Sequence, residues 1–230
     1  MTSDFVANSV AAIIDEFLPP TGGLLVKIVV TVKQVPDPNS VTVLESDNTL
    51  SRDKEVVLDP GDECGIEEGL QLKEAHGGEV ILVSMGPERA KDAIRKGLSM
   101  GADRGVLITD PQLAGADALL TARTLAAAIK PESPDIVICG TESYDGSTGM
   151  VPPMLAELLG VPQLTVAKKV EVDGSTIKIH RQTSDGYQVV EGAIPVLSKG
   201  SWPHAPRRSS RLGVGIWASS AVSRPRPSKA

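Results

Sequence analysis

The sequence has little of what metal centres, disulfide scaffolds and membrane spans are built from. It contains two cysteines, Cys64 and Cys139, without a Cys-x-x-Cys pair, and three histidines that lack the spacing of metal ligands. No apolar run approaches the roughly 18 residues needed to cross a bilayer. These absences favour a reducing, cytoplasmic setting, and they argue against a metal site and against membrane insertion.

Common nucleotide-binding and catalytic motifs are also missing. No G-x-G-x-x-G follows an apolar run, which excludes an ordinary Rossmann dehydrogenase, and no G-x-x-x-x-G-K-[ST] occurs, which excludes a P-loop NTPase. No group of side chains suited to acid–base or nucleophilic chemistry stands out. We therefore predict a binding protein without catalytic residues of its own, in which any redox activity comes from a cofactor.

Composition divides the chain into three parts. Residues 198–230 contain no acidic residue and seven basic ones, whereas the whole chain has a net charge of -6, which argues against a nucleic-acid partner. Residues 1–25 also look appended, with a short amphipathic helix predicted over residues 6–18. We expect an atypical extension over residues 1–25, a folded domain over residues 26–197, and an atypical basic tail over residues 198–230 that is either disordered or frameshifted.

Apolar, β-branched runs alternate with helical patterns through the middle of the chain. The run over residues 26–32 is typical of a strand buried on both faces of a parallel sheet. Further strands are predicted over residues 79–84, 105–109 and 135–139, and helices over residues 62–75, 87–100, 117–129 and 149–160. This alternation predicts an α/β fold with a doubly wound parallel sheet. Alternating segments around Asp173-Gly174 and Asp185-Gly186 then predict a small antiparallel meander.

Three loops follow predicted strands at the edge where open parallel sheets bind ligands. They come after Thr31, at residues 84–87 and at residues 140–149. The third loop is rich in glycine and hydroxyl residues and directly precedes a helix, which is typical of a phosphate cradle. A polar connection that merely caps the helix is the alternative. We expect Tyr144 either to stack on an adenine or flavin ring or to lie exposed on the loop.

Several blocks of the sequence resemble the beta subunits of electron-transfer flavoproteins. In chain order, the blocks lie at residues 26–37, 58–63, 66–70, 83–87, 93–104, 145–146 and 155–163. Within them, Met-Gly-Ala-Asp-Arg at residues 100–104 and Leu-Gly-Val-Pro-Gln at residues 159–163 are together specific. The resemblance runs in order from about Val26 to Pro195.

This resemblance implies one half of a heterodimer that carries electrons. An alpha subunit would hold most of one FAD, and the beta subunit would bury an AMP. Acyl-CoA or other dehydrogenases would donate electrons, and a membrane quinone oxidoreductase would accept them. By position, the resemblance places nucleotide contacts at Thr31, Asp59, Pro60, Gly61, Asp62, Met85, Gly140, Tyr144, Asp145, Gly146, Ser147, Thr148, Gly149, Met150 and Val151.

The chain departs from the family at the start of the last helix. Where AMP-binding members have Asn-Gln-Thr, this chain has Gly149-Met150-Val151, so backbone N–H groups remain but two polar side chains are lost. The Asp-Gly-x-Thr pattern at residues 145–148, together with Val151-Pro152, resembles members of nitrogen-fixation and electron-bifurcating systems, some of which bind a second FAD in this pocket. The resemblance therefore leaves AMP and a second FAD as alternatives.

The resemblance ends just after Pro195, where family members continue into a segment that wraps the partner and docks dehydrogenases. We hypothesise that the tail arises from a frameshift or a mistaken gene model and that Val26 is the true start. A truncated, non-functional product is an alternative to the electron carrier. Two other readings have less support. An ATP pyrophosphatase-type ligase needs a Ser-Gly-Gly-x-Asp-Ser loop that is absent after the first strand, and a universal-stress-type sensor needs glycine spacing that the third loop supplies only in part.

Overall fold

The computed structural model describes residues 26–41, 43–46, 50–52 and 55–200. The helix predicted over residues 6–18 and the basic tail beyond Gly200 lie outside these residues. The strands are β1 Val26–Thr31, β2 Gln34–Pro36, β3 Val56–Leu58, β4 Gly78–Met85, β5 Arg104–Ile108, β6 Ile136–Gly140, β7 Gln163–Asp173, β8 Thr176–Thr183, β9 Gly186–Ala193 and β10 Val196–Gly200. The helices are α1 Pro60–His76, α2 Lys91–Met100, α3 Ala118–Ile129 and α4 Val151–Leu159.

A single eight-stranded sheet organises the described part of the chain, in the order β5-β4-β1-β6-β10-β7-β8-β9. The pairs from β5 to β7 are parallel, and β8 and β9 continue the sheet as an antiparallel meander. The predicted fold class is thus confirmed. The small β2–β3 pair lies apart from this sheet, and the sequence patterns did not predict it.

Helices cover both faces of the sheet because the central strands are apolar on both sides. On one face, Ile66 of α1 and Ile94 of α2 pack against Val30 and Leu82. On the other face, α3 and α4 bury side chains such as Leu125 and Leu155 against the strands. Ile66, Leu70 and Leu72 form the buried apolar side of α1.

The last strand was not predicted. β10 lies between β6 and β7, where Leu197 pairs with both Val137 and Gln163. It crosses the predicted domain boundary at residue 197 and includes the first three residues of the expected tail, so the sheet extends further into that segment than composition indicated. Where the folded domain ends stays a prediction.

Gly105 in β5 gives a packing test of this architecture. A β-carbon on Gly105 would lie 2.2 Å from Cγ2 of Ile94, so Gly105→Ala forces β5 and α2 apart. We expect a loss of about 1–3 kcal/mol in the free energy of unfolding, measured by urea denaturation. Gly192→Ala in β9 is the matched control, because its β-carbon would lie 3.6 Å from Leu164, an ordinary contact. Equal effects of the two substitutions would contradict this account.

Candidate functional site

A cavity of about 1150 Å³ opens at the carboxyl ends of β5, β4, β1 and β6. Its walls come from the loops that follow these strands and from the first turns of α3 and α4. The strand order reverses between β1 and β6, which is the place where open α/β sheets form a ligand crevice. The topology of the sheet therefore creates the cavity.

Asp62, in the first turn of α1, lies at the base of the cavity. One of its carboxylate oxygens accepts a hydrogen bond from the backbone N–H of Lys33 at 2.8 Å. Burial raises the pKa of Asp62 well above its usual value, and the neighbouring Asp59 carboxylate raises it further. Gly140 must lack a side chain here, because a β-carbon would lie 2.7 Å from Oδ1 of Asp62. Asp62 thus links the ends of β1 and β6.

The loop that follows β6 is anchored at several points. Tyr144 donates its backbone N–H to Asp59 at 2.7 Å, and Thr141 donates its hydroxyl to the carbonyl of Gly200 at 2.9 Å. The ammonium of Lys199 donates to the carbonyl of Gly149 at 3.0 Å. Gly149 has φ +60°, a conformation that favours glycine. These bonds hold the loop at the mouth of the cavity.

Two cations on the cavity wall share one buried carboxylate. The ammonium of Lys33 lies 2.7 Å from Oδ1 of Asp145, and the guanidinium of Arg52 bonds to Oδ2 of the same side chain. Burial alone would raise the pKa of Asp145, but hydrogen bonds from Lys33 and Arg52 outweigh it and lower the pKa to about 2. Asp145 is therefore an anion throughout the neutral range and neutralises only part of the positive charge beside it.

Sequence comparisons identify the family of the chain. A sequence model of the electron transfer flavoprotein domain matches residues 47–198. An electron transfer flavoprotein subunit beta from Clostridium acetobutylicum is 47% identical over 171 residues, covering 74% of this chain and 66% of that protein. The chain belongs to the electron transfer flavoprotein beta-subunit family.

Other relatives extend this similarity. A subunit beta from Thermoanaerobacterium thermosaccharolyticum is 42% identical over 171 residues, covering 74% of this chain and 66% of that protein. Protein FixA from Azorhizobium caulinodans is 39% identical over 210 residues, covering 83% of this chain and 74% of that protein. The chain thus spans slightly less than two thirds of the length of the first two relatives. Among the described residues, no helix is both long and apolar enough to cross a membrane.

The structure brings eight of the fifteen nucleotide contacts expected for this beta-subunit family to the cavity wall. These eight are Thr31, Asp62, Met85, Gly140, Gly146, Thr148, Gly149 and Val151. Asp59 instead caps α1, accepting a hydrogen bond from Gly61, while Pro60 begins that helix. Asp145 lies behind the wall, and neither Ser147 nor Met150 lines the cavity. Tyr144 is 56% exposed and borders a separate small groove instead.

Sequence reasoning missed part of the cavity of this flavoprotein subunit. Lys33 and Arg52 line it, as does the segment after β5, from Thr109 to Ala118. The signal for that segment was available, since it follows a predicted parallel strand just as the three candidate loops do. Arg52 gave no such signal, because it lies between β2 and β3, which the sequence patterns did not predict.

The ion pairs of Asp145 predict a specific acid sensitivity. A carboxyl whose pKa falls from about 3.9 unfolded to about 2 folded stabilises the fold fully above about pH 4, and this stabilisation is lost as the pH falls towards 2. We expect wild-type chain to lose up to about 2 kcal/mol of unfolding free energy across that window relative to Asp145→Asn. Urea denaturation of both chains between pH 2 and about pH 6 measures the difference. Parallel pH profiles would contradict the assignment.

Proposed function

We propose that this chain is the beta half of a heterodimeric electron carrier. With an alpha subunit, it would pass electrons through FAD from dehydrogenases, such as acyl-CoA dehydrogenases, to a quinone oxidoreductase or the respiratory chain. Membership of the electron transfer flavoprotein family supports the redox role and the partner. The observation that carries the proposal for this chain is the cavity at the reversal of strand order, with a glycine loop and cations on its wall.

In this proposal the cavity holds AMP, which has a structural role. Phosphate would lie between the loop after β6 and the cations Lys33 and Arg52, because backbone N–H groups and positive charge favour an anion there. The helix itself offers few donors, since Pro152 and Pro153 in its first turn have no N–H. The loop before it therefore provides the backbone donors.

The ionisable groups at the cavity favour binding over catalysis. Burial raises the pKa of Cys139 to about 12, so its thiol stays protonated and is a poor nucleophile. Asp145 has the opposite shift and is too weak a base to take a proton near neutral pH. These states support a carrier subunit whose electrons move through a flavin.

A second FAD in place of AMP is the alternative that specific observations favour. The cavity, at about 1150 Å³, exceeds the roughly 300–1,000 Å³ typical of small-molecule sites. It spans the ends of four strands, or roughly 14 Å at about 4.8 Å per strand spacing. Similarity to protein FixA is compatible with the same alternative.

Nucleotide analysis of the heterodimer tests the proposal. The full chain would be co-expressed with an alpha subunit, purified through a tag on one subunit, and denatured to release bound nucleotides for chromatography. We expect the subunits to co-purify with one FAD and one AMP per heterodimer. Two FAD without AMP would establish the alternative. Failure of the two subunits to co-purify would overturn the proposed role as half of a carrier.

A substitution at the end of the cavity beside β5 distinguishes AMP from FAD as its ligand. This end, which we call the β5 arm, lies furthest from the loop after β6, and Ala116 lines it. Ala116→Trp fills this arm, so we expect AMP to be retained in the purified complex, whereas a dinucleotide would be lost. Leu119→Trp, on the exposed side of α3, is the matched control. Loss of AMP from the Ala116→Trp complex alone would contradict placement of AMP beside the loop after β6.

A further inference from the structure

Asp145 joins two segments that are far apart in sequence. Its two carboxylate oxygens accept hydrogen bonds from Lys33 and Arg52. Lys33 lies two residues after the end of β1, and Arg52 lies between β2 and β3. Ser143 lies 3.2 Å from the same ammonium of Lys33. One carboxylate therefore determines where both cationic groups lie.

The arrangement places the acid behind the cations. The Asp145 side chain is 3% exposed and does not line the cavity, whereas those of Lys33 and Arg52 are 40% and 36% exposed and both line it. One negative charge is thus shared by two positive charges, which leaves one excess positive charge within this group of three side chains, while carboxylates such as Glu142 line other parts of the cavity. An anion bound beside Lys33 and Arg52 would meet these cations and not the carboxylate of Asp145.

The cations also lie against the glycine loop. A β-carbon placed on Gly146 would lie 3.9 Å from Nζ of Lys33, so the ammonium is close to the backbone that follows Asp145. Arg52 is held further by a hydrogen bond to the carbonyl of Gln34 at 3.4 Å, and its own carbonyl accepts a bond from Arg89. Cationic groups and loop backbone therefore form one continuous surface.

We propose that Asp145 is a positioning residue, which holds Lys33 and Arg52 in place to bind the phosphate of a nucleotide in the cavity. The inference rests on the proposed function, and it assigns the selectivity for phosphate to a side chain that does not touch the ligand. Long cationic side chains lose conformational freedom when they bind an anion. A buried carboxylate that fixes them beforehand removes much of that cost from binding.

Paired affinities for AMP and adenosine test the inference on the full chain by calorimetry. Asp145→Asn keeps the shape of the side chain but removes the charge that fixes both cations. We expect the Kd for AMP to rise about tenfold while the Kd for adenosine stays unchanged, because adenosine lacks the phosphate. If Asp145 only stabilised the fold, Asp145→Asn would raise the Kd values for AMP and adenosine together.

Asp103→Asn is the matched control. Asp103 accepts hydrogen bonds from Lys73 at 2.5 Å and from the backbone of Val80 at 2.7 Å, at the opposite ends of the strands. It is thus also a partly buried carboxylate paired with a cation, but it lies remote from the cavity. We expect the substitution to lower stability and to leave both nucleotide affinities unchanged.

A second variant keeps the test decisive if Asp145→Asn folds poorly. Lys33→Met removes a half-exposed ammonium and leaves the backbone bond from Lys33 to Asp62 in place. It should weaken the binding of AMP and leave that of adenosine unchanged. Adding Asp145→Asn to Lys33→Met should raise the Kd for AMP by a smaller factor than Asp145→Asn does in the wild-type chain. Additive losses, equal losses for AMP and adenosine, or unchanged AMP binding would each overturn the inference. A wild-type chain that binds neither ligand would overturn the proposed nucleotide site itself.

Discussion

The chain places β4 and then β5 on one side of β1, and it then returns to place β6 on the other side. The helices that follow β1 and β6 pack on opposite faces of the sheet. A crevice must open where the two helices diverge, because neither can cover the carboxyl ends of both strands. The loops after β4 and β5 extend this crevice along the same edge. The cavity-lining groups on the loops after β1 and β6 depend on that reversal for their position.

The pKa values of two carboxylates at this crevice are shifted in opposite directions by their surroundings. Asp62 is buried beside Asp59, and burial and like charge favour its protonated form. Asp145 is buried as well, but two cationic side chains reach it and keep it ionised. Burial and the like charge of Asp59 thus disfavour a negative charge at the base of the cavity, where it would repel phosphate. Asp145, the carboxylate with the lowered pKa, lies where the cations shield it from the ligand.

The sequence predicted the parallel sheet because its buried strands are continuous apolar runs, such as residues 26–32, with turn residues between them. It could also predict the loop after β6, since a ligand loop in such a fold follows from strand order and glycine spacing. It could not predict Arg52, whose place depends on tertiary contacts with Asp145 and Gln34. Periodicity also missed β10, a short strand that is central in space although it comes last in the described chain.

The position of β10 bears on how the C-terminal segment is interpreted. Its composition sets that segment apart from the domain, yet Lys199 pairs with Cys139 and Thr165 within the sheet. Lys199 and Gly200 also hold the two ends of the loop after β6, through Gly149 and Thr141. A chain cut at the compositional boundary would therefore lose these anchors of the loop along with the tail. Composition locates a change in sequence character, whereas hydrogen bonding shows which residues belong to the sheet, and β10 extends three residues past the compositional boundary.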